Sequence, residues 1–443
     1  MPNKLIRGIG LLQATALNMS NMVGVGPFIT IPLIIGSMGG PQCMLGWVLG
    51  AVLALCDGLV WSELAASMPG TGGTYLYLRE AFRTTRLGDI LPFLFIWQFI
   101  FSGPLEIASG FIGFTQYVGY FRPGMGPAEA RTITVAVGAL VIWLLYRRIS
   151  GVGRIAVVLW IGMLVTMLWV IVAGVANFHP KVVFDFPPGA FTFSTGFVAG
   201  LGSAMLISMY DYLGYYDICY VGAEVRNPER VIPRSIVISV LATAGIYFLT
   251  NMSLISVVPW REATHSNFIA SQFIEKLYGT RAASVVTVLV LWTAFASVFA
   301  LLLGYSRIPY SAAVNGHFFK IFARLHPSGN FPHVSLLVMG ILSIIAAFWS
   351  LDQVISALVT SRILIQFIGQ IVALVYLRRH RPDIPRPFRM WLYPVPSAIA
   401  FVGWLYIFLS SGWIYAGFGL ATLLAGVVVY QLSVTRSARN SHD

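Results

Sequence analysis

The segment Asn21-Met22-Val23-Gly24-Val25-Gly26-Pro27-Phe28 sets two glycines and a proline in the middle of an apolar run spanning about residues 11–36. Proline lacks an N–H and its ring clashes with the preceding turn, while glycine tolerates backbone angles that other residues avoid, so a helix should unwind here. Pro27 then suits the first turn of a resumed half-helix. The free N–H groups and positive end of that half-helix would point at the bilayer centre, where only a cavity or an anionic ligand satisfies them. A plain kink of the kind membrane helices tolerate is the alternative. A second segment, Tyr210-Asp211-Tyr212-Leu213-Gly214-Tyr215-Tyr216-Asp217, interrupts the run 192–221 with two acids, a glycine and four tyrosines. A carboxylate at mid-bilayer costs at least ~2.5 kcal/mol, so two in one helix argue for a buried or wet functional location. Asp217 merely capping a resumed half-helix is the blander reading.

These breaks lie in a chain of 443 residues that is 57% hydrophobic and 10% charged, with a mean hydropathy of +0.80. A soluble domain carries roughly 25% charged residues, so a water-soluble protein is excluded. Apolar runs long enough to cross the bilayer are expected at 11–36, 42–67, 90–119, 132–149, 155–177, 192–221, 234–258, 283–306, 333–349, 353–377, 392–411 and 413–434. The expected fold is therefore all-α and integral to the membrane, a single domain over 1–443 with about twelve transmembrane helices. Broken helices near the midplane in corresponding positions of two repeats are a transporter signature. Here the first and sixth spans are broken, which fits a five-plus-five inverted repeat of 11–177 and 192–377, with the helices of 392–434 outside it.

Most of the 28 Lys and Arg residues fall in the segments that are cytoplasmic if the N-terminus is, so both termini are expected to face the cytoplasm. The formal net charge of +12 is thus a topology signal, and its spread over short loops argues against a nucleic-acid partner. A multi-pass protein of the cell membrane, in contact with the lipid bilayer, is expected. Lys4 and Arg7 precede a run with no small-residue cleavage site, so no removable signal peptide is read. Cys43, Cys56 and Cys219 show no paired spacing, so neither a disulfide framework nor a metal site is suggested. The sequence contains no His-Glu-x-x-His and no Gly-x4-Gly-Lys-Ser/Thr motif, which argues against a metalloenzyme and against direct ATP drive. A channel would call for a pore-lining ring and an enzyme for a convergent catalytic set; a secondary transporter needing no cofactor is preferred to both.

Gly24-Val25-Gly26-Pro27-Phe28 resembles the Gly-x-Gly-Ile-Phe unwound segment of the amino acid-polyamine-organocation transporters, with proline replacing isoleucine. Further matches are Glu63-Leu64-Ala65 with Pro69-Gly70-Thr71-Gly72-Gly73-Thr74-Tyr75, and Glu224-Val225-Arg226-Asn227-Pro228 with Ile232-Pro233-Arg234. Ser306-Arg307, Asn315-Gly316-His317 and Arg381-Pro382-Asp383 extend the resemblance over nearly the whole chain. It implies a LeuT-like ten-helix core plus two peripheral helices, moving an amino acid by alternating access. It also implies that the substrate carboxylate meets the backbone around Gly24, Val25 and Gly26, and that its amino group meets carbonyls of Asn21 to Val23 and of Tyr210, Asp211 and Leu213. Gly214 belongs to the second break, and Tyr210, Tyr215 and Tyr216 are candidate gates of the side-chain pocket. A polyamine or other organic cation is the alternative substrate.

Glu106 and Arg362 lie deep in the third and tenth spans, and neither can stay unpaired in lipid. Arg362 is expected to pair with Glu106, Asp211, Asp217 or a substrate carboxylate. Glu106, Asp211, Asp217 and Arg362 are the candidates for proton or charge coupling, because an acid in a low-dielectric cavity has its protonated form favoured. The alternative is a set of permanent ion pairs. Asp57 reads as structural, and Glu63 and Glu224 as interfacial salt bridges or gate latches. Family members often carry a lysine in the fifth span that stands in for sodium; here the nearest matching position is Met163. With only Thr287, Thr293 and Ser297 in the eighth span as hydroxyl ligands, sodium-independent transport is expected. Asn267 to Leu277 reads as an external amphipathic segment over the pathway.

Overall fold

The computed structural model describes residues 7–439 except Thr71, Arg86, Arg147 and Arg148. Lys4, and Thr71 of the glycine-rich stretch, lie outside the described residues. Among those residues seven helices are long and apolar enough to cross a bilayer, and the pair Leu11–Met22 and Gly26–Met38, bent by 52°, makes an eighth. Three shorter apolar helices, Ile161–Ala176, His333–Ala346 and Val395–Ser410, and the 18-residue Thr195–Tyr212 complete the twelve spans.

The packing repeats with an offset of five spans. The second span, Met44–Ser67, packs on the seventh, Pro228–Val257, and the third, Leu87–Val118, on the eighth, Ile269–Tyr305. The opening half of the first span packs on the seventh, and the sixth, Thr195–Tyr212, packs on the second. The fifth, Ile149–Ala176, packs on the eighth, just as the tenth, Leu351–Arg362, packs on the third. Each of the last two contact pairs is the other shifted by five. An odd number of spans per repeat forces the two halves into opposite orientations, which is the inverted arrangement of LeuT-like transporters. The eleventh and twelfth spans, Val395–Ser410 and Trp413–Arg439, lie against the second, third and tenth. On the fifth span Ile161, Val165, Leu168, Val172 and Val175 are exposed at helical spacing, a lipid-facing stripe.

Two elements depart from expectation, and a third adds detail to it. The sixth span does not resume as an α-helix: beyond Tyr212 the chain continues in the 3-10 turns Asp217–Tyr220 and Gly222–Glu224. Asp217 therefore opens a short turn rather than capping a half-helix, with its N–H on the Gly214 carbonyl at 3.0 Å. The segment Asn267 to Leu277 forms its own amphipathic helix from Ile269, set off from the membrane-spanning part of the eighth span by a kink at Gly279, whose φ is 80°. Its Ile269, Ala270, Phe273 and Ile274 are fully buried, so its apolar face points inward. In the tenth span a π-helical turn, Ile363–Ile368, separates Leu351–Arg362 from Gly369–His380. Such turns collect at functional sites in helices.

Both ends of the bundle are tied. At the Met38 end the Tyr117 hydroxyl donates to the Phe28 carbonyl at 3.0 Å and accepts the Ala270 N–H at 3.3 Å. At the opposite end Glu63, fully buried, holds Arg378 at 2.7 and 2.5 Å and the Met390 N–H at 2.8 Å. Thr74 donates to Gln370 at 2.6 Å, and Tyr75 contacts His317. Burial first, then the Arg79 guanidinium, hold the His317 imidazole below its ordinary range, with Asp89 opposing. Glu224 contributes its carbonyl, which accepts the N–H groups of Gly8 and Ile9 at 2.9 and 3.1 Å.

Gly214 has a φ of +112°, and a β-carbon there would lie 2.8 Å from that of Asn21. Gly214→Ala is therefore expected to cost about 1–3 kcal/mol through a backbone conformation that side chains resist. Thermal melting of the detergent-purified protein, followed by size exclusion, checks this; an unchanged midpoint would contradict it.

Candidate functional site

The two breaks meet in the interior of the bundle. The first helix ends at Met22, Val23 turns to an extended conformation, and Gly26–Met38 restarts with Pro27 in its first turn and no side-chain cap. Helix starts leave N–H groups without intrahelical partners; here the Val25 N–H reaches the Ser297 hydroxyl of the eighth span at 3.3 Å. Gly24 is also against Ser297, where a β-carbon would sit 2.8 Å from the hydroxyl. Gly26 faces Asp211 so closely that a β-carbon would occupy the place of Oδ1.

The released carbonyls find a partner that the sequence reading passed over. Tyr247 of the seventh span points its hydroxyl at the carbonyl of Met22 and, at 2.9 Å, at that of Asp211. Two asparagines of the first helix hold the turn after the second break. Asn18 accepts the Ile218 N–H at 2.9 Å, and Asn21 donates to the Asp217 carboxylate. Asp217 is thus bound by an amide and joins no ion pair among the described residues.

Asn21, Gly24, Val25, Gly26, Glu106, Tyr210, Asp211 and Leu213 line one cavity, together with Ser109 and Ser297. Its volume is about 40 Å³, far below the roughly 300 Å³ at which ligand pockets begin, so the site is contracted. Tyr210 approaches from the sixth span with its hydroxyl 2.7 Å from that of Ser109. The other candidates lie elsewhere. Val23 and Gly214 shape the breaks. Tyr215 donates to Asp57 at 2.6 Å, which also accepts the Trp61 indole N–H at 2.9 Å. Tyr216 stacks on Trp61 with centroids 4.5 Å apart.

Arg362, 1% exposed, pairs with Glu106 at 2.8 Å and not with either aspartate of the sixth span. Its Nε donates to Ser102 at 3.1 Å, and Tyr305 donates to the same Glu106 oxygen at 2.7 Å. The guanidinium lies 5.5 Å from the Phe99 ring centroid and 5.8 Å from that of Tyr305. Of the three hydroxyls considered as sodium ligands, Thr287 bonds Ser271 at 2.7 Å and Thr293 bonds Thr166 at 3.2 Å. Ser297 alone of them lines the cavity.

A contracted cavity inside the bundle, at the junction of two broken helices, is the kind of site an alternating-access transporter uses. Residues 9–433 match the amino acid permease family, to which the chain belongs. The human cystine/glutamate transporter is 29% identical over 440 residues, covering 97% of this chain and 86% of that protein. The branched-chain amino acid permease of Bacillus subtilis is 25% identical over 452 residues, covering 96% and 92%. The rat large neutral amino acids transporter small subunit 2 is 27% identical over 448 residues, covering 96% and 80%. The chain is a multi-pass membrane protein and an amino acid permease; the polyamine alternative finds no support among these relatives.

Removing one member of a buried ion pair strands the other charge, at about 3–5 kcal/mol. Glu106→Gln and Arg362→Met should each lower stability by that order, while the double variant should lie closer to the unaltered protein than either. A double-mutant cycle on melting midpoints measures the coupling; additive losses would show that the pair contributes nothing jointly.

Proposed function

We propose that the permease carries a neutral α-amino acid, bound in the cavity where the first and sixth spans are broken. The observation that carries this reading is Gly26 at the start of the resumed half-helix. It is glycine where a side chain would collide, on a positive helix end suited to a carboxylate. The Val25 N–H, held by Ser297 at 3.3 Å, is a long hydrogen bond that a charged carboxylate would improve on. The substrate's amino group then meets the carbonyl ends of the two helices, and Tyr210 closes over its side chain.

The relatives differ in the substrates their names give, from cystine and glutamate to branched-chain and large neutral amino acids. Electrostatics favours the neutral class here. Arg362 is engaged by Glu106 and Ser102, and the cavity lining contains no Lys or Arg. A second, acidic carboxylate on the substrate would therefore meet no cation. The finer organisation follows the sequence reading: repeats at 11–177 and 192–377, peripheral helices at 392–434, both termini in the cytoplasm, and a cell-membrane location. Coupling is sodium-independent, by protons or exchange, because Thr287 and Thr293 are already bonded to neighbouring hydroxyls.

Proteoliposome uptake with a panel of amino acids and polyamines tests the substrate class; uptake of putrescine alone would reverse it. Gly26→Val should reduce uptake to background while the protein remains inserted and monodisperse, and normal uptake by that variant would remove the site assignment. Replacing sodium with choline should leave uptake unchanged, whereas strict sodium dependence would refute the coupling.

A further inference from the structure

Asp211 is 3% exposed, and one of its two oxygens is unaccounted for. Oδ2 accepts the Thr30 hydroxyl at 2.7 Å, while Oδ1 is buried without a hydrogen-bond partner. The free oxygen is the atom that lies against Gly26. Thr30 stands one turn further along the same half-helix, its hydroxyl also 3.0 Å from the Gly26 carbonyl. The Asp211 carboxyl is thus fastened to Gly26–Met38 through one oxygen, with the other beside the first residue of that helix but bonded to none of its N–H groups. A helix end of this kind attracts an anion.

We propose that Asp211 is an intramolecular stand-in for the substrate carboxylate, and that an arriving amino acid takes its position only against a protonated Asp211. The inference rests on the reading of this cavity as an amino acid site. Two carboxylates before one helix end repel each other in a low-dielectric site, and the surroundings offer no counter-charge. The first span presents Gly26 and Thr30, both uncharged. From the seventh span comes Tyr247, with its hydroxyl turned to backbone carbonyls. Glu106 of the third span lines the same cavity but is held by Arg362 of the tenth and Tyr305 of the eighth. The eighth span adds Ser297, and the sixth itself adds Tyr210, bonded to Ser109. On the second span the carboxyl, Asp57, is taken by Tyr215 and Trp61. A protonated Asp211 can donate its O–H to the substrate carboxylate instead of opposing it. One proton then binds with each substrate molecule and leaves with it, with no covalent bond of the substrate changed.

The test is binding of an equimolar radiolabelled mixture of the common amino acids to the purified full-length protein, from acid to alkaline pH, in wild type, Asp211→Asn and Thr30→Val. Titration calorimetry in buffers of different ionisation enthalpy counts protons on the wild type directly. The affinity of the wild type should fall about tenfold per pH unit once Asp211 ionises, with about one proton taken up per molecule bound. Asp211→Asn should bind with little pH dependence and exceed the wild type at alkaline pH. Thr30→Val, which removes a donor to the ionised form, should move the fall to higher pH. A flat wild-type profile with no proton uptake overturns the proposal, as does a folded Asp211→Asn protein that binds nothing at any pH. Should Asp211→Asn fail to fold, an unmoved profile in Thr30→Val still overturns it. A wild type that binds no amino acid at all refutes the underlying site reading instead.

Discussion

A backbone group released inside a bilayer has no water to bond, so each break in a membrane helix must be closed by the protein itself. The architecture follows from meeting that demand twice in one place. The first helix gives up its pattern at Val23, the sixth at Leu213, and side chains from other spans answer both. Tyr247 comes from the seventh span, Ser297 from the eighth, and Asn18 from the opposite half of the first. Because these partners lie far apart in sequence, the groups the breaks release are satisfied only once the spans that supply them are packed around.

That dependence explains where polar residues are tolerated. Glu106 and Arg362 enclose one another with Ser102 and Tyr305, a buried group whose geometry fixes the third, eighth and tenth spans together. Asp57 is satisfied by Tyr215 and Trp61, joining the second span to the chain beyond the sixth-span break. The bundle is therefore divided between pairs that hold spans in place and the few polar atoms, chiefly around Gly26 and Asp211, left facing the cavity.

Much of this was legible in the sequence, because composition, apolar run length and glycine-proline punctuation act locally. The first-span break sits where Gly24, Gly26 and Pro27 put it, and eight of the proposed substrate residues line the cavity. What escaped was set by three-dimensional partners. Tyr215 and Tyr216 read like gates because they follow the second break, yet their rings turn toward Asp57 and Trp61. Tyr247 looked like one more membrane tyrosine, although its hydroxyl faces both breaks. The only local hint of the Asn18 and Asn21 role was their spacing, three residues apart on one helical face.

The π-helical turn after Arg362 gives the tenth span two phases. A π turn takes up roughly one residue more than an α turn, and one residue corresponds to about 100° of helical rotation. Everything beyond Ile368 is turned by that amount relative to an unbroken α-helix. Arg362 faces the interior ion pair, and Arg378, on the far side of the turn, faces Glu63 at the bundle's end. The span works like a shaft with two cams keyed at different angles, and the extra residue is the key. Unwinding that turn into regular α-helix would move the second cam away from Glu63 while leaving the first engaged. The angle at which the tenth span meets Glu63 is thus set separately from the angle at which it meets Glu106.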